Sequence, residues 1–89
     1  MKVKFKPEEL VEICRLHELY LKGDTNGVRA DLRYANLENA DLSHADLETA
    51  DLRRANLRCA DLRYANPDNA DLTHADLENT DLRCADLDY

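Results

Sequence analysis

The chain has 89 residues, of which 35% are charged, and its formal net charge is −7 at pH 7. A chain of this length allows one small domain, and a single globular core of that size is only marginally stable. The acidic balance argues against direct binding to DNA or RNA, because proteins that bind nucleic acids usually present a basic surface.

The N-terminal stretch MKVKFKPEEL has lysines but no apolar run behind them, so we expect no signal peptide. No segment approaches the roughly 20 apolar residues that a membrane span needs. The three cysteines are Cys14, Cys59 and Cys84, an odd number at unrelated spacings, which argues against a disulfide framework. We therefore expect a cytoplasmic protein.

The first predicted element is a helix from about Pro7 to Lys22. Pro7 suits the first turn, and Gly23 suits the stop. Apolar side chains recur at helical spacing, at Leu10, Ile13, Cys14, Leu16, Leu19, Tyr20 and Leu21. The turn-rich segment GDTNG follows. Residues 1–29 thus read as a capping helix with its connection, and residues 30–89 as a second unit.

From Ala30 onward the sequence repeats every five residues. The phrase is Ala, then Asp or Asn, then Leu, then two variable positions, and twelve units fill residues 30–89. The alanine column breaks at Thr80, and the leucine column breaks at Pro67. Neither an α-helix nor one long strand keeps leucines with this period on one face. A chain that turns a corner after each unit does keep them inside a stacked coil.

The stretch ADLRYANLENADLSHADL resembles the pentapeptide-repeat family. The resemblance implies an all-β solenoid, a right-handed quadrilateral β-helix with four units per coil and about three coils. The segment KPEELVEICRLHELYLKGDTNGVRADL is similar to the N-terminal helical cap of short bacterial and phage members. The expected core is Leu32, Leu37, Leu42, Leu47, Leu52, Leu57 and Leu62, with Pro67 in place of the next leucine.

The last coil should expose inward-facing leucines, because no helix follows it in the sequence. We therefore expect a homodimer in which two chains meet C-terminus to C-terminus, as gyrase-targeting relatives also do. The residues expected at this end are Leu72, Leu77, Leu82, Leu87 and Tyr89.

The sequence offers no convincing catalytic constellation, and we predict neither enzyme activity nor a cofactor. Cys14 and His17 lie three apart and could share a metal, but a structural zinc needs about four ligands and no second pair has suitable spacing. Packing against the first coil is the favoured interpretation of both. His44, Tyr64 and Cys84 share one outer column, in which His44 and Cys84 lie too far apart to form one site.

Counting units in fours assigns each one to a side of the coil. The fourth side carries five acids and no lysine or arginine. These acids are Asp46, Glu48, Asp68, Asp86 and Asp88. The leading hypothesis is a non-enzymatic binding module whose acidic side engages a basic protein surface. In its narrower form the module is a DNA mimic that inhibits a DNA-handling protein, because some family members that protect DNA gyrase resemble duplex DNA.

Two alternatives stay open. In the first, the chain is a structural scaffold whose acids serve solubility and turns, since Asp and Asn commonly bond to nearby backbone. In the second, which is least supported, it is a small metal-binding protein.

Pro67 has two interpretations as well. It is either drift after an internal thirty-residue duplication or a local widening of the acidic side that suits a partner.

Overall fold

The computed structural model describes residues 3–85 and contains one helix followed by a stack of short extended segments. The elements are β1 (Val3–Lys4), α1 (Pro7–Leu21) and β2 (Ala35–Asn36). β1 and β2 pair in parallel, with Val3 opposite Ala35 and Lys4 opposite Asn36. Elsewhere in the repeat region the segments pair through single-residue parallel bridges.

Every such bridge joins two residues that lie twenty positions apart, so four five-residue units make one coil. The bridged pairs are Asp31 with Asp51, Asn36 with Asn56, Asp41 with Asp61, Asp46 with Asn66, Asp51 with Asp71, Asn56 with Asp76 and Asp61 with Asp81. The predicted four-sided coil is confirmed. We define coil 1 as residues 30–49, coil 2 as residues 50–69 and coil 3 as residues 70–85.

A tight turn closes each side of the coil. In the first unit the Ala35 N–H donates to the Leu32 carbonyl at 3.1 Å, and Tyr34 between them has φ 61°. A positive φ at the third turn residue is what a type II turn requires. The same bond recurs at 2.9–3.1 Å in all eleven described turns, with φ of 58–64° at the equivalent residue. One left-handed residue therefore marks each corner.

The Asp or Asn of each unit also forms the turn. The Asp31 Oδ1 accepts the Arg33 N–H at 3.3 Å, and the Asn36 Oδ1 accepts the Glu38 N–H at 3.2 Å. Because an amide oxygen and a carboxylate oxygen serve equally well, this position selects a side chain that bonds the backbone and does not select its charge. The turn-forming role that we considered for these acids in the scaffold alternative is thus present.

Leucine and alanine side chains point into the coil, as the repeat predicts. The seven expected core leucines are at most 3% exposed, and Pro67 is buried with them. Coil 3 differs, because Leu72 and Leu82 are only half-buried and Leu77 is 38% exposed. Leu87 and Tyr89, which we also expected at this end, lie outside the described residues.

α1 begins and ends where its terminal residues dictate. The Glu9 carboxylate accepts the Lys6 N–H at 2.9 Å, and Pro7 occupies the first turn, where its missing N–H costs nothing. The helix ends at Leu21, one residue before the predicted end, and Gly23 follows with φ 79°. In the connection, Gly27 lies so close to the backbone of Tyr20 that a Cβ there would clash.

α1 packs on coil 1 through Leu10 and His17, which are both buried. The His17 Nδ1 accepts the Ala30 N–H at 2.9 Å, and its Nε2 lies 2.8 Å from the Glu48 carbonyl. A backbone N–H can only donate, so Nδ1 is unprotonated and Nε2 carries the proton that bonds Glu48. Both ring nitrogens are therefore occupied, which supports packing over metal binding for His17.

Tyr20 departs from the predicted apolar stripe. It is 42% exposed, and its ring stacks on that of His17 with the centroids 5.7 Å apart. It therefore lies at the margin of the buried face. The two-residue strand β1, which precedes α1 in the chain, was not predicted from the sequence pattern. It pairs with β2 at the edge of coil 1.

Candidate interaction surface

The coil has four outer sides with different charge arrangements. Among the described residues, side 1 comprises residues 30–34, 50–54 and 70–74, and side 2 comprises residues 35–39, 55–59 and 75–79. Side 3 comprises residues 40–44, 60–64 and 80–84, and side 4 comprises residues 45–49, 65–69 and 85. The described acids that we expect to bind a partner are on side 4. The geometry of sides 1 to 3 decides how far side 4 differs from them.

Side 1 carries a ladder of alternating arginines and aspartates. The Arg33 guanidinium lies 2.8 Å from Asp31 and 3.7 Å from Asp51 of the next coil. Arg53 repeats this arrangement one coil later, at 2.7 Å from Asp51 and 3.7 Å from Asp71. Hydrogen bonds from Arg53 lower the pKa of Asp51 to about 2. The three aspartates on this side are therefore paired with arginines within and between coils.

Sides 2 and 3 are compensated in the same manner but less fully. On side 3, Arg63 lies 2.8 Å from Asp61, and the hydrogen bonds it donates lower the pKa of that aspartate to about 2. On side 2, Arg58 lies 2.9 Å from the Glu78 carboxylate of the next coil. Each of these sides thus has acids paired with an arginine, but Glu38 on side 2 and Asp41 on side 3 take part in no ion pair among the side chains of residues 5–85.

Side 4 has no such pairs among the side chains of residues 5–85. Asp46, Glu48 and Asp68 are all half-buried, and none of them takes part in an ion pair within 4.0 Å in this part of the chain. The Asp46 Oδ1 accepts the Glu48 N–H at 3.2 Å, so one of its oxygens serves the turn. Asp86 and Asp88, the remaining acids predicted for this side, lie outside the described residues.

One cation approaches the corner that follows Glu48. Arg29, in the connection after α1, donates its Nε–H to the Thr49 carbonyl at 2.8 Å. A count of charges within the repeats misses this residue, because it precedes the first unit. One sequence feature could have indicated this contact. An arginine directly before the first alanine of the repeat places a long cationic side chain beside the edge of coil 1.

Pro67 occupies a leucine position on side 4 without breaking the turn. The Ala70 N–H still donates to the Pro67 carbonyl at 2.9 Å, and the Leu47 N–H still donates to Asn66 at 2.8 Å. At equivalent positions the leucine N–H bonds the carbonyl nineteen residues further on, and proline has no N–H to offer. A small apolar cavity of about 30 Å³ lies beside Pro67, between leucines of coils 1 to 3. Proline in place of leucine thus leaves a packing defect here.

The outer column of His44, Tyr64 and Cys84 is a surface stack. The rings of His44 and Tyr64 are nearly parallel, with centroids 4.9 Å apart, and both residues are exposed.

Burial of Cys14 raises the pKa of its thiol, so it packs as a neutral group. Within residues 3–85 no group of three or more histidine, cysteine or acidic side chains is placed to hold a metal ion. In the same range no helix has the length and apolar composition needed to cross a membrane.

The family model for pentapeptide repeats matches this chain in eight copies, over residues 24–48, 30–66 and 50–88. No curated protein matches the chain. Solved structures do match, and they are described as pentapeptide repeat proteins. That family has the right-handed quadrilateral β-helix as its fold, in agreement with the twenty-residue coil seen here.

A pentapeptide repeat protein, Rfr23, from the cyanobacterium Cyanothece 51142 is 42% identical with a TM-score of 0.63, and the match covers 66% of this chain and 40% of that one. HetL from Nostoc sp. strain PCC 7120, a pentapeptide repeat protein involved in heterocyst differentiation regulation, is 32% identical with a TM-score of 0.50; the match covers 66% of this chain and 37% of HetL. This chain thus spans well under two thirds of either protein.

Proposed function

The chain belongs to the pentapeptide-repeat family, and from that premise we propose that it is a non-enzymatic protein-interaction module whose side 4 binds a basic surface of a partner protein. Members of this family are typically interaction or structural repeat scaffolds. A solenoid suits this role because its stacked coils present an extended, rigid surface. We place the module in the bacterial cytoplasm, as a protein of bacterial or phage origin.

The observation that carries this proposal is the unequal compensation of charge around the coil. Arginines pair with aspartates on side 1 at 2.7–2.8 Å, whereas the described acids of side 4 take part in no ion pair within residues 5–85. Carboxylates that no arginine neutralises attract a basic partner more strongly than paired ones, because complementary potentials steer association.

The narrower form of the proposal is DNA mimicry, in which side 4 occupies the DNA site of a DNA-handling protein. Its support is the single sign of charge along one side of the solenoid. Two observations count partly against it: Asp46 uses one oxygen for its own turn, and the other three sides hold arginine–carboxylate pairs. Binding to a basic surface in general is therefore the form that we put first, and a pure scaffold is its alternative.

We propose two further features of the assembly. α1 acts as the cap of coil 1, with support from the buried Leu10 and from the two hydrogen bonds of His17. Coil 3 joins two copies into a homodimer, with support from Leu77, which is 38% exposed while the leucines of coils 1 and 2 are buried. Sedimentation at micromolar concentration tests the dimer, and a monomer contradicts it.

The test of the proposed function is a comparison of captured proteins between two matched variants. The side 4 variant carries Asp46→Asn, Glu48→Gln and Asp68→Asn. Asparagine already forms the same turn at Asn36, Asn56 and Asn66, so the fold should tolerate the first change. The control variant carries Glu8→Gln, Asp76→Asn and Glu78→Gln, which remove the same number of acids elsewhere.

We expect a basic host protein to be retained by the wild type and by the control variant and to be lost with the side 4 variant. The reason is that no described carboxylate of side 4 has an arginine partner within residues 5–85, whereas Asp76 and Glu78, which the control variant changes, both lie within 4.0 Å of Arg58. Capture that is the same for all three proteins contradicts the proposal and favours the scaffold alternative. Circular dichroism of each variant checks that the fold is kept.

A further inference from the structure

A groove of about 830 Å³ lies between α1 and the first coil, on the part formed by sides 2 and 3. Phe5, Val11 and Cys14 contribute apolar surface from the N-terminal segment and the helix. Ala40 and Leu42 contribute it from coil 1. Its volume is within the range of sites that bind ligands or peptides. Val11 is 68% exposed, so the groove presents apolar surface to solvent.

The floor of the groove includes an open backbone edge at Asp41. In the stack, Asp61 below it donates its N–H to Ala40 at 2.9 Å and accepts the Leu42 N–H at 2.8 Å. Asp41 holds the same place in coil 1, where no coil precedes it. Within residues 3–85 its own N–H and carbonyl have no hydrogen-bond partner, and the residue is exposed. An edge of this kind is a template for another strand.

The same edge already carries a strand on the neighbouring side. There the residue equivalent to Asp41 is Asn36, which pairs with Lys4 of β1 in parallel. The segment around β1 reads KVKFK over residues 2–6, with basic and apolar residues in alternation. The chain therefore shows what kind of segment this edge accepts.

The charge around the groove favours basic residues in an occupant. Glu18, Glu38 and Asp41 lie along it, and none of the three is in an ion pair among the described side chains. Arg15 lies there too, but its guanidinium is 2.7 Å from the Glu12 carboxylate. Electrostatic complementarity thus points to lysine or arginine in the bound segment.

We propose that this groove binds an extended segment of a partner protein in which apolar and basic residues alternate. The segment adds as a parallel strand to the backbone edge at Asp41 and lays its apolar side chains against Val11. This mode is strand addition, in which backbone bonds supply affinity and side-chain contacts supply specificity. The site is separate from side 4 and does not depend on the function proposed for it.

The test uses the synthetic peptide acetyl-KVKFK-amide, labelled with a fluorophore, and follows its anisotropy with the full chain. Val11→Lys removes the apolar wall and adds a like charge. Val28→Lys is the matched control, because Val28 is also exposed, at 57%, and does not line the groove. We expect saturable binding that Val11→Lys weakens about tenfold or more and that Val28→Lys leaves unchanged.

Amide hydrogen exchange locates the bound peptide. Protection of the Asp41 amide on binding supports the proposal, whereas protection confined to Asn36 shows exchange with β1 and overturns it. Absence of binding up to about 1 mM peptide, which corresponds to about −4 kcal/mol, overturns it as well. The side 4 variant should bind the peptide like the wild type; loss of binding there would place the peptide on side 4 and contradict the inference.

Discussion

Each corner of the coil holds one residue in the left-handed conformation, and the chain fills this position with very different side chains. Asn39, Asn69 and Asn79 suit it, because asparagine adopts a positive φ more readily than other non-glycine residues. Thr49 does not, because a β-branched side chain is strained there. Its buried hydroxyl also has no hydrogen-bond partner within residues 5–85. Single residues thus vary in how well they serve a uniform turn.

Thr49→Asn should therefore stabilise the protein by about 1 kcal/mol, since it relieves backbone strain and removes the unpaired hydroxyl. Thermal or urea unfolding measures the change in the free energy of unfolding. The reciprocal change, Asn39→Thr, should lower that free energy. If both substitutions shift stability in the same direction, the corner position is not strained in the way described.

The arginine–aspartate ladder predicts a pH dependence at Asp51. Its pKa falls from 3.8 to about 2 in the folded protein, so the ion pair stabilises the fold above about pH 4. That contribution is lost as the pH falls through the folded pKa. Asp51→Asn keeps the turn-forming oxygen but loses the pair. The stability gap between wild type and variant should be full at neutral pH and close between about pH 4 and pH 2.

Asp46→Asn is the matched control for Asp51→Asn, because the carboxylate of Asp46 has no arginine partner within residues 5–85. Its stability gap at neutral pH should be smaller. A gap for Asp51→Asn that persists unchanged at pH 2 would show that the ladder contributes nothing through charge.

The helix and the coils meet at few points, and His17 is the most specific of them. Its ring bonds the Ala30 N–H where the solenoid begins and the Glu48 carbonyl where coil 1 ends. One side chain thereby fixes the helix against both ends of a twenty-residue coil. Gly27 assists, because only a residue without a Cβ lets the connection approach Tyr20 so closely.

His17→Leu should destabilise the protein by about 2–4 kcal/mol, because it leaves the buried Ala30 N–H and the part-buried Glu48 carbonyl without the partner that His17 provides. Tyr20→Leu is the comparison variant, since it removes the stacked ring but keeps both hydrogen bonds. Chemical denaturation measures both. Equal losses for the two variants would mean that apolar packing, and not the bonds of His17, holds the helix in place.

Pro67 lies beside a packing defect in the coil stack. Pro67→Leu should raise the free energy of unfolding by about 1–2 kcal/mol, since leucine fills the cavity and restores a donor between coils. Leu47→Pro is the reverse change one coil earlier, and it should be destabilising because the 2.8 Å bond from Leu47 to Asn66 is lost. If Pro67→Leu also weakens partner binding, the proline shapes side 4; unchanged binding indicates drift.

For the whole molecule, the repeat predicted a stacked coil with a leucine core, and the resemblance to the pentapeptide-repeat family implied four units per coil. A period of five that keeps all leucines inside permits few geometries, so the prediction was strongly constrained. β1 was missed because a two-residue strand has no periodic signal and exists only through pairing with Asn36. The groove could not be foreseen either, since it depends on where α1 lies across coil 1. Arg29 approaches side 4 from outside the repeat, so a count of charges over the repeat units leaves it out.

The charge pattern also needed the structure for its interpretation. The sequence predicts an acidic side 4, but it does not show that the aspartates of side 1, and Asp61 and Asp81 of side 3, pair with arginines within and between coils. Nor does it show which carboxylate oxygens the turns consume. These contacts show that the sides differ in how many of their acids are paired with arginines, and that difference is the basis of the proposed function.

The most direct test of this account is the salt dependence of binding to the captured basic partner. The logarithm of the association constant, plotted against the logarithm of salt concentration, should have a steep negative slope for the wild type and for the variant Glu8→Gln, Asp76→Asn, Glu78→Gln. The slope should flatten for the variant Asp46→Asn, Glu48→Gln, Asp68→Asn, because screened charge pairs are lost there. Three equal slopes would contradict the claim that side 4 is the binding surface.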